Sequence, residues 1–115
     1  MIGQHLPPDY ARGDESTVGG YAAVHSRPPA FEGADGTSYS ADILVDVTDD
    51  LETPWAAYLF FVRWSAGAPA LEGHLESGYL ARGSSEAAAR EAAGRLSLRE
   101  AKGVLDALVR AEQNG

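Results

Sequence analysis

The chain has 115 residues, no cysteine and a net charge of −8 at pH 7. That length suits one domain with a core of its own. The missing cysteine excludes disulfides, thiolate metal sites and a cysteine nucleophile. The charge is uneven: ten acids and two bases lie in residues 1–52, and the remainder is neutral. An acidic surface repels nucleic acid and phospholipid headgroups and attracts basic partners. It serves solubility or high salt equally well. The opening stretch MIGQHLPPDYARGDEST lacks the basic start and apolar run of a signal peptide. The longest apolar run, Trp55 to Val62, is strand-sized and far short of a membrane span. The expected setting is cytoplasmic, away from membranes.

Residues 1–17 mix prolines with small polar residues and read as a polar tail, with one α+β domain over 18–115. The tripeptide Arg12-Gly13-Asp14 matches an adhesion motif that means nothing in this context. VGGYAAVHSR (Val18–Arg27) reads as a first strand, its glycine pair marking a bulge. Two prolines end it, and Asp35-Gly36 is a turn pair. YSADILVDVT (Tyr39–Thr48) alternates: Tyr39, Ala41, Ile43, Val45 and Val47 share a face, with polar residues and Leu44 on the other. After the turn DDLETP comes WAAYLFFVRW (Trp55–Trp64), apolar on both faces. Trp55, Ala57, Leu59 and Phe61 form one face; Tyr58, Phe60, Val62 and Trp64 form the other. SAGAPALEG reads as a loop and His74–Arg82 as a fourth strand. Short connections favour an antiparallel meander.

Two helices close the chain. Ser84 or Ser85 caps the first, with Glu86 near its positive end. Glu86–Arg90 and Glu91–Arg95 are i,i+4 pairs in the favourable order. The second helix opens with a capping box, Ser97 to Glu100. Ala101, Val104, Leu105, Leu108 and Val109 form its apolar stripe. The fold class is therefore α+β: a four-stranded antiparallel β-meander followed by two C-terminal helices packed on the sheet, β-β-β-β-α-α.

Chemical signatures are sparse. His5, His25 and His74 show no ligand spacing for zinc. The acids of DVTDDLE lack the alternating order and glycine of a calcium loop. There is no phosphate-binding glycine loop and no nucleophile elbow. No cofactor, metal or catalytic set is expected.

GYLARGSSEAAAREAAGRL (Gly78–Leu96) resembles the C-terminal part of the double-stranded RNA-binding domain: a strand end, a glycine break, a serine and an alanine-rich helix. The resemblance implies an RNA-binding alternative. In that family the helix start carries a lysine cluster that grips phosphates, the main source of duplex affinity. Here SSEAAAR places Glu86 there, and only Arg90 is basic. The family also begins with a helix, where this chain reads as a tail and a strand. The stretch ARGSSEAA is similar to the strand–helix corner of HicB-type antitoxins, a shared way of turning that corner.

These features predict a non-enzymatic protein-interaction module. Its candidate surfaces are the apolar strand face (Tyr58, Phe60, Val62, Trp64) and an acidic patch (Asp42, Asp46, Asp49, Asp50). The partner is a second copy, giving a homodimer, or a basic protein met in the manner of an acidic inhibitor or immunity protein. The alternative is a small-ligand binder or enzyme with a pocket between sheet and helices.

Overall fold

A computed structural model of the chain describes residues 7–64 and 71–114. A 3-10 turn at Tyr10–Arg12 leads into helix α1 (Val18–His25). Strands β1 (Ala30–Glu32), β2 (Ser38–Val47), β3 (Trp55–Trp64), β4 (Leu71–Glu76) and β5 (Ala81–Gly83) follow, then helices α2 (Glu86–Gly94) and α3 (Leu98–Asn114). The α+β class, the antiparallel meander and the two C-terminal helices stand as the sequence predicts. The sheet order is β1-β2-β3-β4, with β5 also paired to β3. Ala41 faces Phe61 and Ile43 faces Leu59 across β2 and β3, so the odd-numbered residues of both strands share a face.

That face carries the core. Tyr39, Ala41, Leu59 and Phe61 are buried against Val18 of α1 and Ala101, Leu105 and Val109 of α3. Beside them Ala57 packs on Ala89 and Ala93 of α2, with Val45 and Trp55 at the margin. All the described helices thus cover one face of the sheet. The helix starts follow their sequence signals. Ser85 Oγ accepts from Ala88 N, and Ser97 and Glu100 bond reciprocally at 2.9 Å. Both expected i,i+4 ion pairs of α2 form at 3.2 Å.

Two assignments change. Val18–His25 is a helix and not a strand; the first strand is Ala30–Glu32, in the stretch after the prolines. Thr17 caps the helix, its hydroxyl accepting from Gly20 N at 3.0 Å. The glycine pair lowers helix propensity, and tertiary contact offsets that. Gly19 lies backbone to backbone against Gly94 of α2, and Gly20 sits under the Asp14 carbonyl. Residues 16–18 also hold the sheet's helical layer: Leu98 N donates to Ser16 O and Val18 N to Leu96 O. The second change is at His74–Arg82, which is β4 and β5 with an irregular link between. Ser77 bridges the gap by accepting from Leu59 N through its hydroxyl. Residues 1–6 of the expected tail, with His5, and residues 65–70 of the expected loop lie outside the described residues.

A polar chain closes the far end of the core. Arg63 Nε donates to the buried Tyr39 hydroxyl, which donates to Asp35 Oδ2, both at 2.9 Å. Arg63 also pairs with Glu112 of α3. This ties the β1–β2 hairpin to the last helix. Burial works against the Asp35 carboxylate, but hydrogen bonds from Thr37 N and the Tyr39 hydroxyl outweigh it and hold its pKa below the ordinary range. Burial pushes the Tyr39 hydroxyl up.

Two stability experiments test this packing. At Gly20 an added Cβ would stand 1.8 Å from Asp14 O; at Gly103 of α3 it would meet nothing within 4 Å. Gly20→Ala is therefore expected to lower urea-unfolding stability by about 1–3 kcal/mol, while Gly103→Ala raises it by about 0.5–1 kcal/mol. Equal effects at the two positions would contradict the close approach. Asp35→Asn tests the polar chain. A depressed carboxylate pKa stabilises fully above its unfolded value and loses that stabilisation as pH falls through the folded value. The deficit of Asp35→Asn is thus expected at neutral pH and disappears in acid; a deficit independent of pH would refute the assignment.

Candidate functional site

The even-numbered residues of β2 and β3 form the opposite face of the sheet. Along β3 these are Ala56, Tyr58, Phe60, Val62 and Trp64; opposite them on β2 stand Asp46, Leu44, Asp42, Ser40 and Ser38. From β4, His74 faces Val62 and Glu76 faces Phe60. No described helix crosses this face. The β3 residues Tyr58, Phe60, Val62 and Trp64 are only half-buried. Leu44 is 36 % and Tyr79 48 % exposed, so the apolar row extends sideways.

The face is ordered by its own contacts. The His74 ring stacks on Phe60 with centroids 4.7 Å apart, and its Nε2 lies 3.0 Å from Glu76 Oε2. Trp64 Nε1 donates to Ser40 Oγ at 3.0 Å. The Tyr79 hydroxyl donates to Asp46 Oδ2 at 2.9 Å, and the Arg82 guanidinium lies over the Tyr79 ring. Tyr79 reaches this position because the chain leaves regular pairing between β4 and β5.

Carboxylates flank the aromatic row on both sides. Asp42 and Glu76 stand directly opposite Phe60 on its two neighbouring strands. Asp46 lies further along β2. The Asp46 hydrogen bond raises the Tyr79 pKa, with burial adding to it. Burial raises that of Tyr58, and the charges of Asp46 and Glu76 push it further.

The two candidate surfaces of the sequence thus meet. Asp42 and Asp46 are interleaved with Tyr58, Phe60, Val62 and Trp64 on one face. Asp49 and Asp50 belong to the β2–β3 turn beyond it. Asp50 Oδ1 accepts from Glu52 N and Thr53 N at 3.0 and 2.9 Å, and the bonds from Thr53 N and then Glu52 N lower its pKa. His74, Glu76 and Tyr79 join the face without having stood out in the sequence, and Leu44 joins it too. Leu44 was the signal: an apolar residue on an otherwise polar strand face.

The described residues also contain a cavity of about 590 Å³ between α1, α2 and β2. Its lining is mostly small and apolar, with Arg12, Arg90 and Arg95 among it. Neither His25 nor His74 lines it. The His25 imidazole lies against Tyr21, with Nε2 3.1 Å from Glu15 Oε1. Among the described residues no group of three or more histidines and acids is placed to hold a metal ion, and no helix is long and apolar enough to cross a membrane. The helix before the sheet removes one difference from the double-stranded RNA-binding domain, but Glu86 still occupies the start of α2. No family model, curated protein or solved structure matches the chain.

The carboxylates' reach across this face is measurable by NMR titration of the tyrosine ring carbons. Tyr58 and Tyr79 are expected to ionise above the ordinary tyrosine range. Asp46→Asn removes a negative charge that opposes phenolate formation, so both midpoints fall. Midpoints unchanged by Asp46→Asn would place its charge out of reach of the rings.

Proposed function

We propose that this chain is a non-enzymatic protein-interaction module whose open sheet face binds a partner with a cationic surface, as an acidic inhibitor or immunity-type protein does. One observation carries the reading: a half-exposed aromatic row lies between carboxylates on a face that no described helix covers. Tyrosine and tryptophan make effective anchors in interfaces. Arginine and lysine side chains gain both from the ring faces and from the flanking carboxylates.

Charge also separates the two partners. In a homodimer built face to face, both copies bring Asp42, Asp46 and Glu76 to the interface. Like charges so placed are repulsive. A basic partner removes that repulsion, so the heterologous reading is favoured over self-association. The pocket alternative has a cavity between sheet and helices. Its lining brings no histidine.

The probe is an alternating peptide, RVRVRVR, followed by the fluorescence of Trp64 in a Trp55→Phe background. Binding at 20 mM salt is expected to weaken about tenfold or more at 500 mM salt. Phe60→Ser and the pair Asp42→Asn with Asp46→Asn should each weaken it further, with the fold checked by circular dichroism. No binding at low salt overturns the proposal. Binding that responds to the charges but not to Phe60→Ser reduces it to bulk attraction and also overturns it.

A further inference from the structure

The outer edge of β2 carries a second feature, independent of the open face. β1 pairs with β2 only over Ser38–Ser40. Ala41 N still donates on that side, to Pro29 O at 3.0 Å. Beyond it, no described strand pairs with this edge. The directions of the backbone groups follow from β3. Leu59 stands opposite Ile43, and its N–H and C=O both bond to Ser77 on the other side. Ala57 stands opposite Val45, and its C=O accepts from Leu80 on the other side. These are the non-hydrogen-bonded pairs of an antiparallel ladder. The N–H and C=O groups of Ile43 and Val45 therefore point outward, at the edge. The Ile43 carbonyl accepts from Arg90 Nη1 of α2 at 2.8 Å. The Ile43 N–H and both groups of Val45 have no partner among the described residues.

At Ala41–Ile43 this edge opens onto the cavity of about 590 Å³. Val18, Ala22 and Ala23 of α1 and Ile43 of β2 give it apolar walls. Arg12, Arg90 and Arg95 supply cations, with Glu91 beside them and Asp42 lining the groove from β2. Three of the chain's nine lysines and arginines line this groove with two acids, a small cationic excess on an acidic protein. Arg90 pairs with Glu86 and Arg95 with Glu91, both glutamates exposed, while Arg12 makes no side-chain bond among the described residues.

We propose that an extended segment of a partner protein, carrying a carboxylate between apolar residues, adds as a strand to this edge of β2. Its backbone takes up the open groups of Ile43 and Val45. Alternate side chains enter the groove, where the carboxylate meets Arg12 and Arg95. This is strand addition, in which main-chain bonds give affinity and pockets for alternate side chains give selectivity. Self-pairing in the register that sets Ile43 against Val45 is disfavoured. Antiparallel pairing of β2 with itself about Leu44 sets Asp42 against Asp46 twice, and like charges directly opposite destabilise a ladder. The small residues of the walls leave room for valine-sized side chains.

The probe is the capped, fluorescein-labelled peptide TVTETVT, measured by anisotropy on the full chain. Its valines and glutamate share one face, and threonines fill the other. TVTKTVT is expected to bind at least about fivefold more weakly, the scale of one exposed ion pair. TVTETVT N-methylated at its glutamate, which removes an N–H that an antiparallel added strand aims at β2, should not bind detectably. The double variant Arg12→Glu, Arg95→Glu should reverse the preference between glutamate and lysine; both positions are exposed, so the fold is preserved. Amide exchange gives a readout specific to the edge. Saturating TVTETVT should slow exchange at Ile43 and Val45, and leave Asp42 and Leu44, whose amides face β3, unchanged. The proposal fails if TVTETVT does not bind, if lysine serves as well as glutamate, or if Ile43 and Val45 exchange as before. A dimer that protects both amides without peptide would assign the edge to a second copy and overturn it as well. None of these outcomes bears on the open face, which the arginine peptide tests separately.

Discussion

Strand β3 is apolar on both sides, while the described helices all lie on one side, and the rest of the structure follows from that imbalance. The covered side buries Leu59 and Phe61 completely against α1 and α3. Burial of such side chains stabilises by roughly 1.5–3 kcal/mol each, so this side holds the fold. The other side keeps Tyr58, Phe60, Val62 and Trp64 in partial contact with water. They are not left bare. His74 lies on Phe60, Tyr79 leans toward Tyr58, and Ser40 takes the indole N–H of Trp64. Each contact removes some apolar surface from water and fixes a ring orientation. The result is a preorganised face, which lowers the ordering entropy that binding must overcome.

The helical layer stays on one side because of small residues. Gly19 against Gly94, and Ala57 against Ala89 and Ala93, let α1 and α2 lie close to each other and to the sheet. Larger side chains there would lift the helices and open the core. The same closeness makes the groove at the β2 edge: walls of glycine and alanine leave space that no side chain of the helices fills. Packing of one layer thus creates two unlike surfaces. One is aromatic and acidic, on the open face. The other is small-walled and carries arginines, at the strand edge.

Edges of sheets invite unwanted pairing, and proteins usually protect them. β1 covers the start of β2 and Arg90 covers the Ile43 carbonyl. Asp42 and Asp46 add charge along the same strand. These acids serve the open face and also oppose self-pairing of the edge. One pair of residues therefore bears on both surfaces.

Local pattern determined much of this protein. Alternation in Tyr39–Thr48, the two-sided apolarity of Trp55–Trp64, the serine caps and the stripe of α3 all have short-range causes, and each is realised where it was expected. The two faces of β3 were legible residue by residue, since a strand alternates with period two. Other features needed the tertiary structure. The glycine pair of VGGYAAVH argues locally against helix; the Thr17 cap, burial of Val18 and Val24, and the close approach of Gly19 to α2 and Gly20 to the Asp14 carbonyl outweigh it. Which face the helices cover depends on chain direction at the corners, which no periodicity records. That choice turned Tyr58, Phe60, Val62 and Trp64 outward and brought Asp42 and Asp46 among them. Asp49 and Asp50 resemble those acids in composition, yet they sit in the turn beyond the strands, where Asp50 holds backbone amides. The groove joins residues from three distant segments, so nothing in any one of them announced it.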